Sequence, residues 1–484
     1  MRPTENSHWQ ALLSLQETLL AQEAASYTNK QSVCGITLDL SRQKINQPIL
    51  EELLLLAESS NLSESIESLF NGATVNYTEQ RAALHTALRD PRSHGLWVDG
   101  QDLLIPISET RQRLFDIAHE IRNHSWTGVS GNPITDVVNI GMGGSDLGPR
   151  FCTQALKKFQ QTPINFHFVS DADPNAFESA VEHLTPEQTL FLISSKSFTT
   201  PETLYNYQKA RQWLDQELDW TRHFIAITAN CERAKESGFQ HILPIWLWVG
   251  GRFSVTSAMN LITAIAIGPE AFQQFLEGAY AMDCHFRNTP FYKNLPVLAA
   301  LTGIWNINFL KAHQHLILTY DQALDGFVQY VQQLDMESNG KSIDIYGRPV
   351  NYSTGPVVWG GPGNQAQHSY YQLLCQGTHQ IAIDLISTKD NQGSMINTLC
   401  QNKSDVLYYG VQTSHSFEQI KGGASLTHIQ LEQISPYALG ALIALYEHKI
   451  FTQSVIWQIN PFDQPGVETA KRFLQKKPAN ALVD

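Results

Sequence analysis

One pattern constrains this chain more than any other. From Asp136 onward, short apolar runs end in Gly, Ser, Thr or Asp and lead into amphipathic stretches. The runs are Asp136–Ile140, Ile164–Val169, Thr189–Ile193 and Phe224–Thr228. Parallel strands need a crossover long enough to hold a helix, so strands alternating with helical stretches predict βαβ units and a parallel sheet. A second series follows a long helical region at about 255–312. Its predicted strands are His315–Thr319, Pro356–Trp359, Ile381–Ile386 and Val406–Tyr409. An apolar helix, Tyr437–Ile450, then leads to a predicted strand, Ser454–Asn460, and a last helix. Before residue 95, Leu12-Leu13, Leu15, Leu19-Leu20 and the run Ile49–Leu56 recur at helical spacing, which predicts helices and no strand. The expectation is an α/β fold of two units with helical N- and C-terminal additions. Ligands in such open sheets bind at the carboxyl ends of the strands.

Composition excludes several classes. A chain of 484 residues suggests two to four domains, and 42% apolar residues supply large cores. Its 33 Lys and Arg against 46 Asp and Glu give a formal charge of −13. That disfavours a nucleic-acid binder or an anionic-membrane binder, which needs a basic excess. A small anionic ligand stays open, because local donors outweigh a mean field screened over about 10 Å. The six cysteines are scattered, with no C-x-x-C pair, and predict free thiols in a reducing compartment. The start, Met1-Arg2-Pro3-Thr4-Glu5-Asn6, has no apolar core of a signal peptide. The longest apolar stretch, Leu295–Leu310, contains Pro296, Asn306 and Asn308 and predicts a buried helix rather than a membrane span. A cytoplasmic protein is expected.

Six segments carry residues suited to chemistry. Gly141-Met142-Gly143-Gly144-Ser145-Asp146 leaves a strand and enters a helix, where exposed N–H groups attract an anion. Asp146 stands where a dinucleotide fingerprint needs glycine. Ser194-Ser195-Lys196-Ser197-Phe198-Thr199-Thr200-Pro201-Glu202-Thr203 gathers hydroxyls and a Lys before a helix that Thr200 is placed to cap. This suits a phosphate monoester, and the Walker pattern of an ATPase is absent. Three or four charge-assisted hydrogen bonds, each about 1.5–3 kcal/mol, would hold it. Gly250-Gly251-Arg252 places a permanent cation on a turn, as an oxyanion stabiliser needs. Phe327, Tyr330, Val331 and Leu334 form one helical stripe, while Gln333 and Glu337 are neighbours on another face just before an Asn339-Gly340 stop. Glu337 is a candidate general base. Gly360-Gly361-Pro362-Gly363-Asn364 ends a strand, with Asn364 placed to cap a helix carrying His368, a candidate proton relay. Asn460 to Glu468, then Lys471, opens the last helix. Taken one by one, a solvated Arg, Glu or Lys is the more ordinary reading, and a packed His at least as ordinary as a catalytic one.

Together these segments resemble the glucose-6-phosphate isomerase family, built on two sugar-isomerase domains. The resemblance runs from about residue 97 to 475. It is most specific in Val249-Gly250-Gly251-Arg252-Phe253-Ser254, in Asp335-Met336-Glu337-Ser338-Asn339-Gly340-Lys341, and in Phe462-Asp463-Gln464-Pro465-Gly466-Val467-Glu468 with Lys471. Gly141-Met142-Gly143-Gly144-Ser145 and Gly440 to His448 also match. The resemblance implies three-layer α/β/α domains with parallel-rich sheets, at 96–265 (the smaller) and 266–450 (the larger). A helical region at 1–95 would pack on the larger domain, and a strand and helix at 451–484 would complete the site.

It implies interconversion of glucose 6-phosphate and fructose 6-phosphate, a step of glycolysis and gluconeogenesis, without metal or cofactor. By similarity Glu337 is the base that moves a proton between C2 and C1 through a cis-enediol(ate), and Arg252 stabilises its charge. His368 and Lys471 would assist ring opening and closing. Ser145, Ser195, Ser197 and Thr200, with the backbone near Lys196 and Thr203, would hold the phosphate. Gly144, Gly251, Gln333 and Gln464 would line the sugar. The family is usually dimeric, with His368 reaching the partner's site, so a homodimer with a shared active site is implied. Gly361 departs from the pattern, standing where many members carry Glu, and so leaves the usual partner of the catalytic His in question. Ser197 replaces a common Thr but keeps the hydroxyl, and Asp171-Ala172-Asp173-Pro174 replaces a different turn. A phosphosugar sensor on the same domain and an isomerase acting on an amino sugar or pentose phosphate remain alternatives.

Overall fold

The computed structural model describes residues 2–21, 29–214, 219–391 and 393–476. Two strands precede the first predicted one: β1 (Lys30–Val33) and β2 (Ile36–Arg42) form a hairpin. Cys34 (φ 52°) and Gly35 (φ 73°) supply the two left-handed residues that a tight hairpin turn needs. This corrects the expectation that residues 1–95 hold no strand. A small hairpin follows, β3 (Trp97–Val98) and β4 (Gln101–Asp102).

The first large sheet contains β5 (Asp136–Gly141), β6 (Asn165–Val169), β7 (Thr189–Ser194), β8 (Phe224–Thr228) and β9 (His241–Pro244), all parallel, in the order β6-β5-β7-β8-β9. All residues of β5, β7 and β8 are buried, as expected of parallel strands covered on both faces. The second sheet contains β10 (Gln314–Thr319), β11 (Val357–Pro362), β12 (Ile381–Thr388) and β13 (Ser425–Leu431), with β2 and β1 added antiparallel at the edge, in the order β1-β2-β13-β12-β10-β11. The parallel strands of the two sheets therefore wind alike: each starts at an inner strand, steps to one side, then crosses to the other.

Two predicted strands are helical. Val406–Tyr409 ends the helix Met395–Tyr409, whose buried Cys400, Lys403, Ser404 and Leu407 follow helical spacing. Ser454–Ile456 closes the helix Pro436–Ile456, and among the described residues no strand follows it. That helix is buried on nearly every side, so its sequence carries no amphipathic signature. It packs against Pro269–Asn288 so closely that a Cβ at Gly440 would overlap the Phe275 carbonyl oxygen. Among the described residues, no helix is long and apolar enough to cross a membrane.

Candidate active site

In the first sheet the order in which strands are added reverses between β5 and β7, so the loops leaving these strands flank its switch point, where the sheet opens into a crevice. The loops are 141–148 and 194–200. Asn139, buried inside β5, ties them together: its Nδ2 donates to the Ser145 carbonyl at 3.0 Å, and its Oδ1 accepts from Ser194 Oγ at 2.8 Å. Strand register sets Gly141 beside Ser194.

In the second loop Phe198 takes a left-handed conformation (φ 53°) and buries its ring against Phe239. The chain therefore bends tightly, and hydroxyls gather at the turn. Ser195 Oγ lies 3.2 Å from Thr200 Oγ1 and accepts the Phe198 N–H at 3.1 Å. Ser197 Oγ accepts the Thr199 N–H and hydroxyl. Thr200 occupies the N-cap of the helix Pro201–Trp213, but its hydroxyl caps no backbone N–H. That differs from the expected cap and leaves the first-turn N–H groups open to an anion. Thr203 Oγ1 is buried without a protein partner. Lys196 Nζ donates to the Leu247 carbonyl at 2.8 Å. Burial lowers this ammonium to about 8, with Arg81 and Arg252 adding to the shift and Glu79 opposing it.

The loop at Gly251 meets the loop at Gly144 backbone to backbone, and a Cβ at Gly144 would overlap the Gly251 carbonyl. Glycine is thus required at 144 by close approach. The contact brings Arg252 to the crevice. Its guanidinium is buried and held mainly by neutral acceptors. Nε donates to Ser338 Oγ at 2.6 Å, Nη1 to Gln464 Oε1 at 2.9 Å, and Nη2 to the carbonyls of Pro461 and Asp463. Nη1 also lies 3.2 Å from Glu337 Oε2. Burial lowers the Arg252 pKa, and Glu337 and Asp463 partly offset this. It stays charged at any working pH.

Glu337 follows a π-helical turn, Gln332–Met336, in the helix that begins at Phe327. A π turn inserts an extra residue and re-aims the side chains after it, and such turns recur at functional sites. The predicted stripe of Phe327, Tyr330, Val331 and Leu334 is buried, and Gln333 Nε2 donates to Glu337 Oε2 at 3.2 Å. A cleft of about 700 Å³ opens beside Glu337, with Gln464, Lys341, Asp463, Tyr77 and Thr78 in its wall.

The fold thus gathers Gly144, Ser145, Gly251, Arg252, Gln333, Glu337 and Gln464 around one crevice, with Ser195, Lys196, Ser197, Thr200 and Thr203 on the adjoining loop. It does not bring in His368 or Lys471. His368 is exposed in the turn after the short helix Gly363–Ala366; Asn364 lies within that helix and not at its cap. Lys471 is exposed on the helix Pro465–Lys476, with Nζ 3.4 Å from Glu468 Oε1. Sequence reasoning missed Ser338, Lys341, Asp463 and Thr78 as parts of the site. The first three lay inside the quoted segments. No signal marked Thr78, which meets the site only through tertiary packing.

The family model for phosphoglucose isomerase matches residues 39–481. A glucose-6-phosphate isomerase of Legionella pneumophila (strain Lens) is 53% identical over 450 residues, covering 93% of this chain and 90% of that protein. Glucose-6-phosphate isomerase 1 of Chromohalobacter salexigens is 42% identical, covering 97% and 90%. The crystal structure of a glucose-6-phosphate isomerase from Chlamydia trachomatis superposes with a TM-score of 0.90 at 30% identity, covering 98% of this chain and 96% of that one.

Proposed function

This chain belongs to the phosphoglucose isomerase family, and from that membership we propose that the Arg252–Glu337 crevice is where it interconverts glucose 6-phosphate and fructose 6-phosphate. The reaction moves a proton between C2 and C1 of the open-chain sugar through a cis-enediol(ate). Glu337 is the base. A positioned carboxylate contributes about 10²–10⁴-fold in such transfers. Arg252 faces the same atoms and stabilises the negative charge that develops when the proton leaves. Ser145, Ser195, Ser197 and Thr200, the first-turn amides of Glu202 and Thr203 and the Lys196 charge receive the phosphate, whose remote binding energy holds the sugar for the chemistry. Gly144, Gly251, Gln333 and Gln464 line the sugar. The observation that carries this reading is the 3.2 Å approach of Arg252 Nη1 to Glu337 Oε2, beside a helix start that no side chain caps and where the buried Thr203 hydroxyl has no protein partner.

The reading extends to groups that the chain alone does not bring in. His368 is exposed, as a residue that acts in a partner's crevice has to be, and it serves ring opening across a homodimer. Lys471 acts in the same step once the helix Pro465–Lys476 turns it toward bound sugar. Two sugar-isomerase domains, 96–265 and 266–450, belong to the same reading, and the enzyme works in the cytoplasm on free hexose phosphates. The direct test is a coupled dehydrogenase assay of fructose 6-phosphate with EDTA present. Turnover is expected, and none above background rejects the reading. Sharing of the site is tested by mixing Glu337→Gln and His368→Ala proteins under subunit exchange. Partial recovery of activity is expected, and its absence after proven exchange removes the shared site.

A further inference from the structure

The Arg252 guanidinium is not anchored by side chains of its own loop. Its Nη2 is fixed by the backbone of the turn 461–463, where the Asp463 carbonyl accepts at 3.0 Å. The same carbonyl accepts from Lys341 Nζ, also at 3.0 Å. Lys341 Nζ further donates to the carbonyls of Glu337 at 2.9 Å and Ser338 at 2.8 Å, and lies 3.2 Å from Asp463 Oδ1. One ammonium therefore joins the end of the Glu337-bearing helix to the turn that holds Arg252.

The turn is held in place from an unexpected direction. Thr78 Oγ1 donates to Asp463 Oδ2 at 2.6 Å. The Thr78 hydroxyl also accepts from Asn460 Nδ2 at 2.9 Å, and the same amide donates to Asn76 Oδ1 at 2.9 Å. Asn76 and Arg81 are bridged by paired backbone hydrogen bonds, which close the segment into a small loop. Asn76, Asn460 and Asp463 are buried, so a lost partner would leave a costly polar group on each of them, while Thr78 itself is exposed at the cleft wall and reaches them with its hydroxyl.

We propose that Thr78, Asp463 and Lys341 form a positioning clasp that fixes the distance between the Arg252 guanidinium and the Glu337 carboxylate, so that the loop at 76–81 sets the rate of proton transfer. None of the three need touch the reacting carbons. The phosphate loop at 195–200 lies outside the clasp. Loosening it should therefore misalign base and cation while leaving phosphate recognition intact. Misplacement of reacting groups by about 1 Å lowers rates on the order of 10²-fold. A single lost hydroxyl is expected to give part of that.

The inference rests on the proposed roles of Arg252 and Glu337. The experiment compares the full-length wild type with Thr78→Val and Thr78→Ser. It measures kcat, KM for fructose 6-phosphate, inhibition by inorganic phosphate and the thermal midpoint. Thr78→Val should lower kcat about tenfold with KM and the phosphate inhibition constant changed less than twofold. Thr78→Ser, which keeps the hydroxyl, should return kcat to within about twofold of wild type. A Thr78→Val enzyme with unchanged kcat overturns the clasp, as does one whose kcat and phosphate affinity fall together. If Thr78→Val does not fold, the same comparison is read from Asp463→Asn, which keeps the side-chain shape. Absence of turnover in the wild type would instead reject the isomerase reading.

Discussion

Arg252 and Arg89 are both buried, and the molecule treats their charges in opposite ways. Arg89 sits in the short helix Thr86–Arg89 and reaches two helices at once. It binds Asp283 through Nε at 2.7 Å and Nη2 at 2.6 Å, and Glu447 through Nη1 at 2.6 Å. His448 Nε2 adds a contact to Asp283 Oδ1 at 2.6 Å. Burial works against the Arg89 charge, but the two carboxylates outweigh it and raise the guanidinium further. Two acids competing for one cation then separate. Burial opposes the Asp283 charge as well, yet Arg89 and His448 hold that carboxyl below its usual range. Glu447, with one bond, is pushed up by burial to about 7 despite Arg89. Arg89 is thus saturated with negative charge and joins Thr86–Arg89 to the helices Pro269–Asn288 and Pro436–Ile456. Arg252 is held by a hydroxyl, an amide and two carbonyls, with Glu337 its closest acid. Dipoles fix a cation without cancelling it, so its field remains for an anion that forms during reaction. Carboxylates neutralise Arg89 in a structural role, while the neutral acceptors around Arg252 suit the catalytic role proposed for it.

The comparison breaks first at Glu337. Glu337→Gln should lower kcat by about 10²–10⁴-fold with little change in the thermal midpoint. Retained turnover would place the base elsewhere. Arg89→Met should do the reverse. It strands Asp283 and Glu447 in the core, a loss on the order of 3–5 kcal/mol by urea unfolding. The kcat of the folded fraction should stay within a few-fold of wild type, and a stable enzyme with kcat abolished would erase the distinction. The smallest effect is a slope. Glu447 takes its proton near pH 7 when folded, against an ordinary 4.5. Between these values the folded protein holds more protons than the unfolded chain, so this group costs stability as pH rises from about 4.5 to about 7. Glu447→Gln should flatten that part of the curve of thermal midpoint against pH, and an unchanged slope would show that the carboxyl does not titrate there.

The Arg252 side of this comparison was legible in the sequence, and much of its setting was not. The four strands of the first series are present within a residue at their ends. Their glycine- and hydroxyl-rich exits announced the crevice, because few folds place Gly141–Ser145 and Ser194–Thr200 side by side except at a switch point. Gln333 and Glu337 met as helical spacing required. The π turn beneath them left no mark, since it alters one hydrogen-bond register without altering composition. Strand β2 did leave one: Ile36, Leu38 and Leu40 alternate into the core behind the Cys34-Gly35 turn. Strand β9 was missed because four residues give too short a period to read, and β13 because Thr427 and His428 interrupt its apolar run. Val406–Tyr409 and Ser454–Asn460 misled because a short apolar run inside a buried helix has the composition of a strand. Arg89 looked like one cation among 33 Lys and Arg; only the packing of three distant segments gives it a role.

The claim that Arg252 is held free for an anion is tested most directly by binding. An aldonate phosphate one carbon shorter than the substrate presents a carboxylate where the enediolate forms. Wild type and Arg252→Lys are compared for their inhibition by this analogue and for KM toward fructose 6-phosphate. Lysine keeps a charge but loses the planar fork that these acceptors hold. The variant should bind the analogue about 10²-fold more weakly while KM moves only a few-fold. Equal weakening of analogue and substrate would mean that Arg252 serves ground-state binding, and the contrast with Arg89 would not hold.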